Sequence, residues 1–128
     1  MRCLVDTCTA LWLWSDPARL PAKVVEILRD GRNNVVFSQV STLEIQLKFD
    51  LGKLQLPKPP SQFIPEALER HFMLYDRFRD DAIFLLQKLP HLHEDPFDRL
   101  LIAHALTDGA TLVTPDPWIH RYPVPVVW

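Results

Sequence analysis

With 128 residues, a net charge of −2, 48% hydrophobic and 23% charged side chains, the chain has the composition of one globular domain able to build its own core. The near-neutral balance excludes bulk attraction to nucleic acid, so a polyanionic substrate would have to be held by a local basic patch or by bound cations. Cys3 and Cys8 are too few for a disulfide framework and fit no zinc or redox spacing. The apolar run at residues 10–14 is too short for a membrane span or a signal peptide, so a reducing cytoplasm is the expected compartment.

Residues 2–5 predict a short buried strand, followed by a helix from Thr7 to Trp14 that the turn Ser15-Asp16-Pro17 ends. A second helix over residues 21–29 stops at Gly31, and residues 35–37 form a second strand after the turn pair Asn33-Asn34. Residues 43–51, LEIQLKFDL, alternate apolar and polar, which is the period of a half-buried strand and would put Glu44 on a solvated face with Gln46, Lys48 and Asp50. Against that stand good helix formers, Gly52 at the expected stop, an apparent capping box Ser41-Thr42-Leu43-Glu44, and a helical stripe of Val40, Leu43, Leu47 and Leu51. Helix is the expectation. A proline-broken connection at 52–60 leads to a helix from Ser61 to Arg70, a strand at 72–75 and helical residues 80–88. The loop PHLHEDP then enters a helix containing Asp98, and the strand TLVT and the hydrophobic VPVVW close the chain. Strands alternating with helices predict an α/β sandwich around a mostly parallel sheet.

Four acids fall where strand-like runs hand over to helix-like runs: Asp6, Glu44, Asp98 and Asp116. In an open parallel sheet these points gather along one edge, where such folds bind ligands. Converging carboxylates there form an oxygen cage suited to magnesium or manganese. Each acid alone has a simpler use at a helix start: Asp6, Asp95-Pro96 and Asp116-Pro117 read as caps, and Glu44 as the second half of a capping box. What favours a site is placement. Asp98 shares a stripe with Leu101, Ile102, Ala105 and Leu106, and Glu44 shares one with the leucines above. A carboxylate facing a core needs a partner, either a shared metal ion or a salt bridge to a residue such as Lys48 or Arg99. His91 and His93 alternate in a polar loop with no third ligand at zinc spacing, which reads as solvated or hydrogen-bonding histidines, and His104 reads as structural. Thr7 and Thr114 stand close enough in sequence to Asp6 and Asp116 to orient water or phosphate oxygens, and Lys48, Lys53 and Lys58 offer a modest basic stripe.

The ordered segments LVDTCTALWLW, SQVSTLEIQLKFDLGKLQLP, HEDPFDRLLIAHAL and TLVTPDPWI resemble the PIN-domain nuclease family, and most of all its small bacterial VapC-like toxin branch. The resemblance covers essentially the whole chain and implies a single PIN-like nuclease domain over residues 1–128, a three-layer α/β/α sandwich. It implies magnesium- or manganese-dependent hydrolysis of RNA phosphodiester bonds, with Asp6, Glu44, Asp98 and Asp116 as catalytic and metal-holding residues and Asp95 as a further candidate. A cognate antitoxin protein and a homodimer are the implied partners, with surfaces at residues 11–14 and in the GKLQLP connection. Pro117 departs from the small residue usual after the last acid and stiffens that turn. The competing reading is a non-catalytic PIN-like scaffold or protein-binding module in which all four acids serve only caps and salt bridges. A phosphotransfer enzyme with an aspartate nucleophile at Asp6 is weakened by the lack of a second acid nearby in Asp6-Thr7-Cys8.

Overall fold

The computed structural model describes residues 1–128. Strands and helices alternate in the order β1 (Arg2–Val5), α1 (Thr7–Ser15), α2 (Ala22–Arg29), β2 (Asn34–Ser38), α3 (Gln39–Asp50), α4 (Pro60–Arg70), β3 (Leu74–Asp76), α5 (Asp80–Leu85), α6 (Pro96–Asp108), β4 (Thr111–Val113) and β5 (Val126–Val127). Every strand pair is parallel and the strand order is β3-β2-β1-β4-β5. The order reverses at β1, so the switch point of the sheet lies between β1 and β4.

A strand buried on both faces reads as an unbroken apolar run, and RCLV, NVVFS and TLV do so. Their side chains alternate between two cores. Cys3, Val5, Val35, Phe37 and Val113 point to the face covered by α1, α2 and α4, where Leu13, Trp14, Val24, Leu28, Phe63 and Ile64 complete one cluster. Leu4, Val36 and Leu112 point to the other face, against Leu101, Ile102 and Ala105 of α6. The result is a three-layer α/β/α arrangement. Helix α3 stands at the carboxyl edge and contributes Ile45 to the first core and Val40 to the second. No helix is long and apolar enough to cross a membrane.

Residues 43–50 are helical and Leu51 is the C-cap, but not for the expected local reason. The cap of α3 is Ser38, whose hydroxyl accepts the Val40 N–H at 3.0 Å, while Ser41 lies inside the first turn and is fully buried. The capping-box reading was misplaced by three residues because strand β2 ends at a serine of its own. The leucine stripe is also reversed: Leu43, Leu47 and Leu51 are 50%, 44% and 68% exposed, and the buried face of α3 carries Val40, Ser41, Glu44 and Ile45. Leu11 and Trp12, expected as partner surface, are partly buried and pack against the first core with Leu54 and Leu56 of the GKLQLP connection.

Ser38 also ties the sheet to α6. Its hydroxyl meets Nδ1 of the buried His104 at 2.7 Å, and His104 Nε2 meets Asp76 Oδ2 at 3.0 Å. Arg2 of β1 bridges Asp76 and Asp108, so one polar chain joins β1, β2, β3 and α6. His104 is structural, as its position off the Asp98 stripe predicts.

The third strand begins two residues later than expected, because Phe72 closes α4 rather than opening β3. The Met73 N–H reaches back to the Leu68 carbonyl at 2.9 Å and Phe72 takes the left-handed conformation at φ 54°, a turn that ordinarily uses glycine. The Phe72 ring is 92% exposed and gains no packing there. A left-handed backbone costs a non-glycine residue about 1–2 kcal/mol, offset in part by the looser unfolded chain that glycine gives. Phe72→Gly is therefore expected to raise unfolding stability by about 0.5–1 kcal/mol, measured by urea denaturation; a loss of stability would show that the ring holds the turn.

Candidate active site at the sheet edge

The acids singled out above lie beyond the carboxyl ends of the strands flanking the switch point. Asp6 follows β1 and caps α1: its Oδ1 accepts the Thr9 N–H at 2.7 Å, and its Oδ2 accepts the Thr114 hydroxyl at 2.5 Å. Glu44 projects from the buried face of α3. Its Oε1 accepts the Thr7 hydroxyl at 2.6 Å and its Oε2 the Lys48 ammonium at 2.5 Å. Asp98 sits in the first turn of α6, behind the cap Asp95, and Asp116 follows β4. Asp6, Glu44, Asp98 and Asp116 line one open cleft of about 400 Å³, together with Thr7, Cys8, Asp95, Pro115 and Pro117. Asp6 and Glu44 are each only 5% exposed.

At the rim of this cleft, a histidine outside its lining makes the tightest group with two of the acids. His93 Nε2 lies 2.8 Å from Asp98 Oδ2 and 3.1 Å from Asp116 Oδ2, and these three residues place ligand atoms within 4.8 Å of one another. Asp6 and Glu44 stand outside that group, with their oxygens already engaged by hydroxyls, an N–H and an ammonium. Nothing in the spacing of PHLHEDP signals this contact. It is made across 23 residues, between the loop before α6 and the turn after β4. The only usable signal was that His93 precedes the α6 cap by two residues, which lets its ring fold back over the first turn of α6.

Burial and like charge set the electrostatics. Burial pushes the Asp6 carboxyl above the usual carboxylate range, and Glu44 adds to the push, against the Thr114 hydroxyl and the Thr9 N–H. Asp98 is also raised, to about 7, first by burial and then by the charges of Asp95 and Asp116. Burial also works to raise Asp116, but the Trp118 N–H and His93 outweigh it and hold Asp116 below its usual value. The two carboxyls thus titrate together, with the proton resting on Asp98. For His93, burial opposes the charged ring, yet Asp116 and Asp98 prevail and raise it. Cys8, at the cleft, is pushed up to about 11 by burial and by Asp6, so its thiol stays protonated near neutral pH in the metal-free protein.

The structure also corrects smaller expectations. Thr7 and Thr114 orient Glu44 and Asp6 directly. Lys48 pairs with Glu44, as the salt-bridge alternative had it, while Arg99 donates to the Leu86 and Leu89 carbonyls and meets no acid. Lys58 pairs with Glu66, so the basic stripe is largely spent within the chain. The donor set, carboxylate oxygens with one imidazole and Lys48 as the one ammonium paired with a site acid, is chemically suited to a divalent cation.

A PIN domain family model matches residues 3–124. The chain belongs to the PIN domain family. Among its relatives, Ribonuclease VapC22 of Mycobacterium tuberculosis is 28% identical over 130 residues, spanning 98% of this chain and 97% of that protein. Ribonuclease VapC16 of the same organism is 36% identical over a shorter stretch of 44 residues, 34% of this chain and 31% of that protein. The PIN fold is also seen in VapBC2 from Rickettsia felis bound to a promoter DNA fragment, with a TM-score of 0.75 at 19% identity over 99% of this chain and 98% of that one. DNA-bound VapBC from Salmonella typhimurium aligns with a TM-score of 0.68 at 16% identity, over 99% and 97% of the two chains.

Crowded carboxyls cost stability when ionised. The folded Asp98 keeps its proton to about pH 7, whereas the unfolded chain releases it near the ordinary value of 3.8. Its contribution is therefore fully present below about pH 4 and is lost as pH rises through 7. Asp98→Asn keeps an oxygen for His93 and removes the charge. In the metal-free protein above pH 7 it should add about 1–2 kcal/mol, less than the whole shift implies because the carboxylate keeps access to water. Thermal unfolding of both proteins in EDTA at pH 4 and pH 8 checks this, with a clearly larger gain at pH 8.

Proposed function

We propose that this PIN-family protein is a divalent-metal-dependent endoribonuclease that hydrolyses RNA phosphodiester bonds, the toxin of a toxin–antitoxin pair. The observation that carries the reading is the meeting of Asp6, Glu44, Asp98 and Asp116, from four separated segments, in one cleft. The end-to-end similarity to a protein named a ribonuclease supports it. In this reading all four acids hold magnesium or manganese and serve catalysis. A bound ion of that kind polarises a phosphoryl oxygen and lowers the pKa of water.

The chain's own groups prepare the cleft. The Thr114 hydroxyl and Thr9 N–H hold both Asp6 oxygens in place, and Thr7 and Lys48 do the same for Glu44. Preset donors of this kind remove the cost of reorienting the carboxylates during reaction. Asp98, protonated up to about pH 7, is the carboxyl that must release a proton as a cation enters, so metal affinity should weaken as pH falls. RNA cleavage places the protein in the cytoplasm, where its substrate is. The antitoxin is the proposed protein partner and a homodimer the proposed assembly. The exposed Leu43, Leu47 and Leu51 of α3 form apolar surface that such a partner or second copy would cover.

The scaffold alternative draws on one fact: every site acid already has a partner within the chain. The two readings part on metal. A ribonuclease should cleave RNA in magnesium or manganese, stop in EDTA, and lose at least about 100-fold in rate with Asp6→Asn, which keeps the cap but not the charge. A folded protein with no cleavage of any RNA offered, and no saturable manganese binding lost in Glu44→Gln, would leave the scaffold standing. Co-expression with the neighbouring small open reading frame should yield a stable complex with suppressed cleavage; an unchanged rate would remove the antitoxin from the proposal.

A further inference from the structure

Two places in the fold bring a histidine together with two aspartates, and they differ in one respect. At Asp76, His104 and Asp108 the Arg2 guanidinium supplies the cation, and both nitrogens of His104 are engaged, by Ser38 and Asp76. At His93, Asp98 and Asp116 no arginine or lysine enters; the imidazole alone stands between the carboxylates. We propose that His93 Nε2 is a metal ligand, so that the Asp98–Asp116 end of the cleft takes a first-row transition-metal ion in preference to magnesium. This rests on the divalent-metal reading above and specifies which ion that end selects.

Geometry carries the proposal. Neighbouring ligands of an ion bound at about 2.1 Å in an octahedral shell lie about 3 Å apart. The separations from Nε2 to the two carboxylate oxygens, 2.8 and 3.1 Å, already match that spacing. The ring is also held in place. The Tyr122 hydroxyl, on a residue only 4% exposed, accepts the N–H groups of Leu92 and His93 at 3.1 and 3.0 Å and so fixes the loop. Trp118 flanks the ring with centroids 6.3 Å apart. Nδ1 receives only a long contact of 3.4 Å from the Asp95 N–H, so the ring can carry its remaining proton there once Nε2 exchanges its contacts with Asp98 and Asp116 for a shared cation.

Ligand chemistry then sets the preference. Magnesium favours an all-oxygen shell and keeps its waters, whereas imidazole nitrogen raises affinity along the series from manganese to cobalt and nickel. His93 thus acts on the choice of ion, separately from the oxygen ligands that either ion would share.

The probes are Mn2+ and Co2+, with Mg2+ as competitor, on the full chain. Pulsed electron spin-echo spectroscopy of the Mn2+ complex should show nitrogen modulation that changes when histidine is labelled with 15N and vanishes in His93→Gln. Calorimetric titration should show that His93→Gln loses about ten-fold or more in Co2+ affinity but less than about two-fold for Mg2+. Wild-type protein that binds Mn2+ with no histidine nitrogen coupling overturns the inference, as does an equal loss for both ions, and neither result needs the variant to be active. Wild-type protein that binds none of the three ions overturns the metal reading itself.

Discussion

Carboxylates repel one another most strongly where water is scarce, and this fold gathers Asp6, Glu44, Asp98 and Asp116 into one cleft with Asp95 beside them. Two of them, Asp6 and Glu44, are almost wholly buried. The surrounding structure manages that repulsion with what the chain has: the N-termini of α1 and α6, the hydroxyls of Thr7 and Thr114, the ammonium of Lys48 and the ring of His93. None of these supplies a full neutralising charge to Asp6. The cleft is thus held at a cost to stability, as clustered carboxyls with shifted pKa values often are at functional sites.

Sheet order is what makes the gathering possible. With β1 central and β2 and β4 on either side, residues that follow three different strands must emerge side by side. The two cores hold those strands from opposite faces, so the edge is positioned by close packing rather than by loops. Ser38 shows the economy of the arrangement. One hydroxyl ends β2, starts the helix that carries Glu44 and ties both to α6 through His104.

Much of this was legible in the chain, because α/β folds write their layers into apolar runs and punctuation. RCLV, NVVFS and TLV announce strands buried on both faces, and Asp95-Pro96 announces the start of α6. The acids were legible as a set through resemblance, and Asp6, Glu44 and Asp116 also through their places after β1, β2 and β4, whereas Asp98 enters α6 from a loop that follows α5 and not from a strand. What failed did so for local physical reasons. The stripe of Leu43, Leu47 and Leu51 looks like a core face, yet α3 stands at the sheet edge and turns its shorter, mixed face of Val40, Glu44 and Ile45 inward. Phe72 reads as strand because its neighbours are apolar, whereas a backbone hydrogen bond spanning five residues dictates a turn. His93 was unreadable because its partners are brought to it by the fold, and alternation in a polar loop carries no trace of that.

The hydrogen bond from Thr114 to Asp6 joins residues 108 positions apart. Strand β4, which delivers Thr114, lies next to β1 at the middle of the sheet, although it follows α1 to α6 in the chain. A polypeptide still emerging from the ribosome therefore has its first aspartate and its glutamate but no completed cleft. Order of synthesis alone keeps the acidic centre unformed until β4 and Asp116 have emerged, a delay that requires no inhibitor.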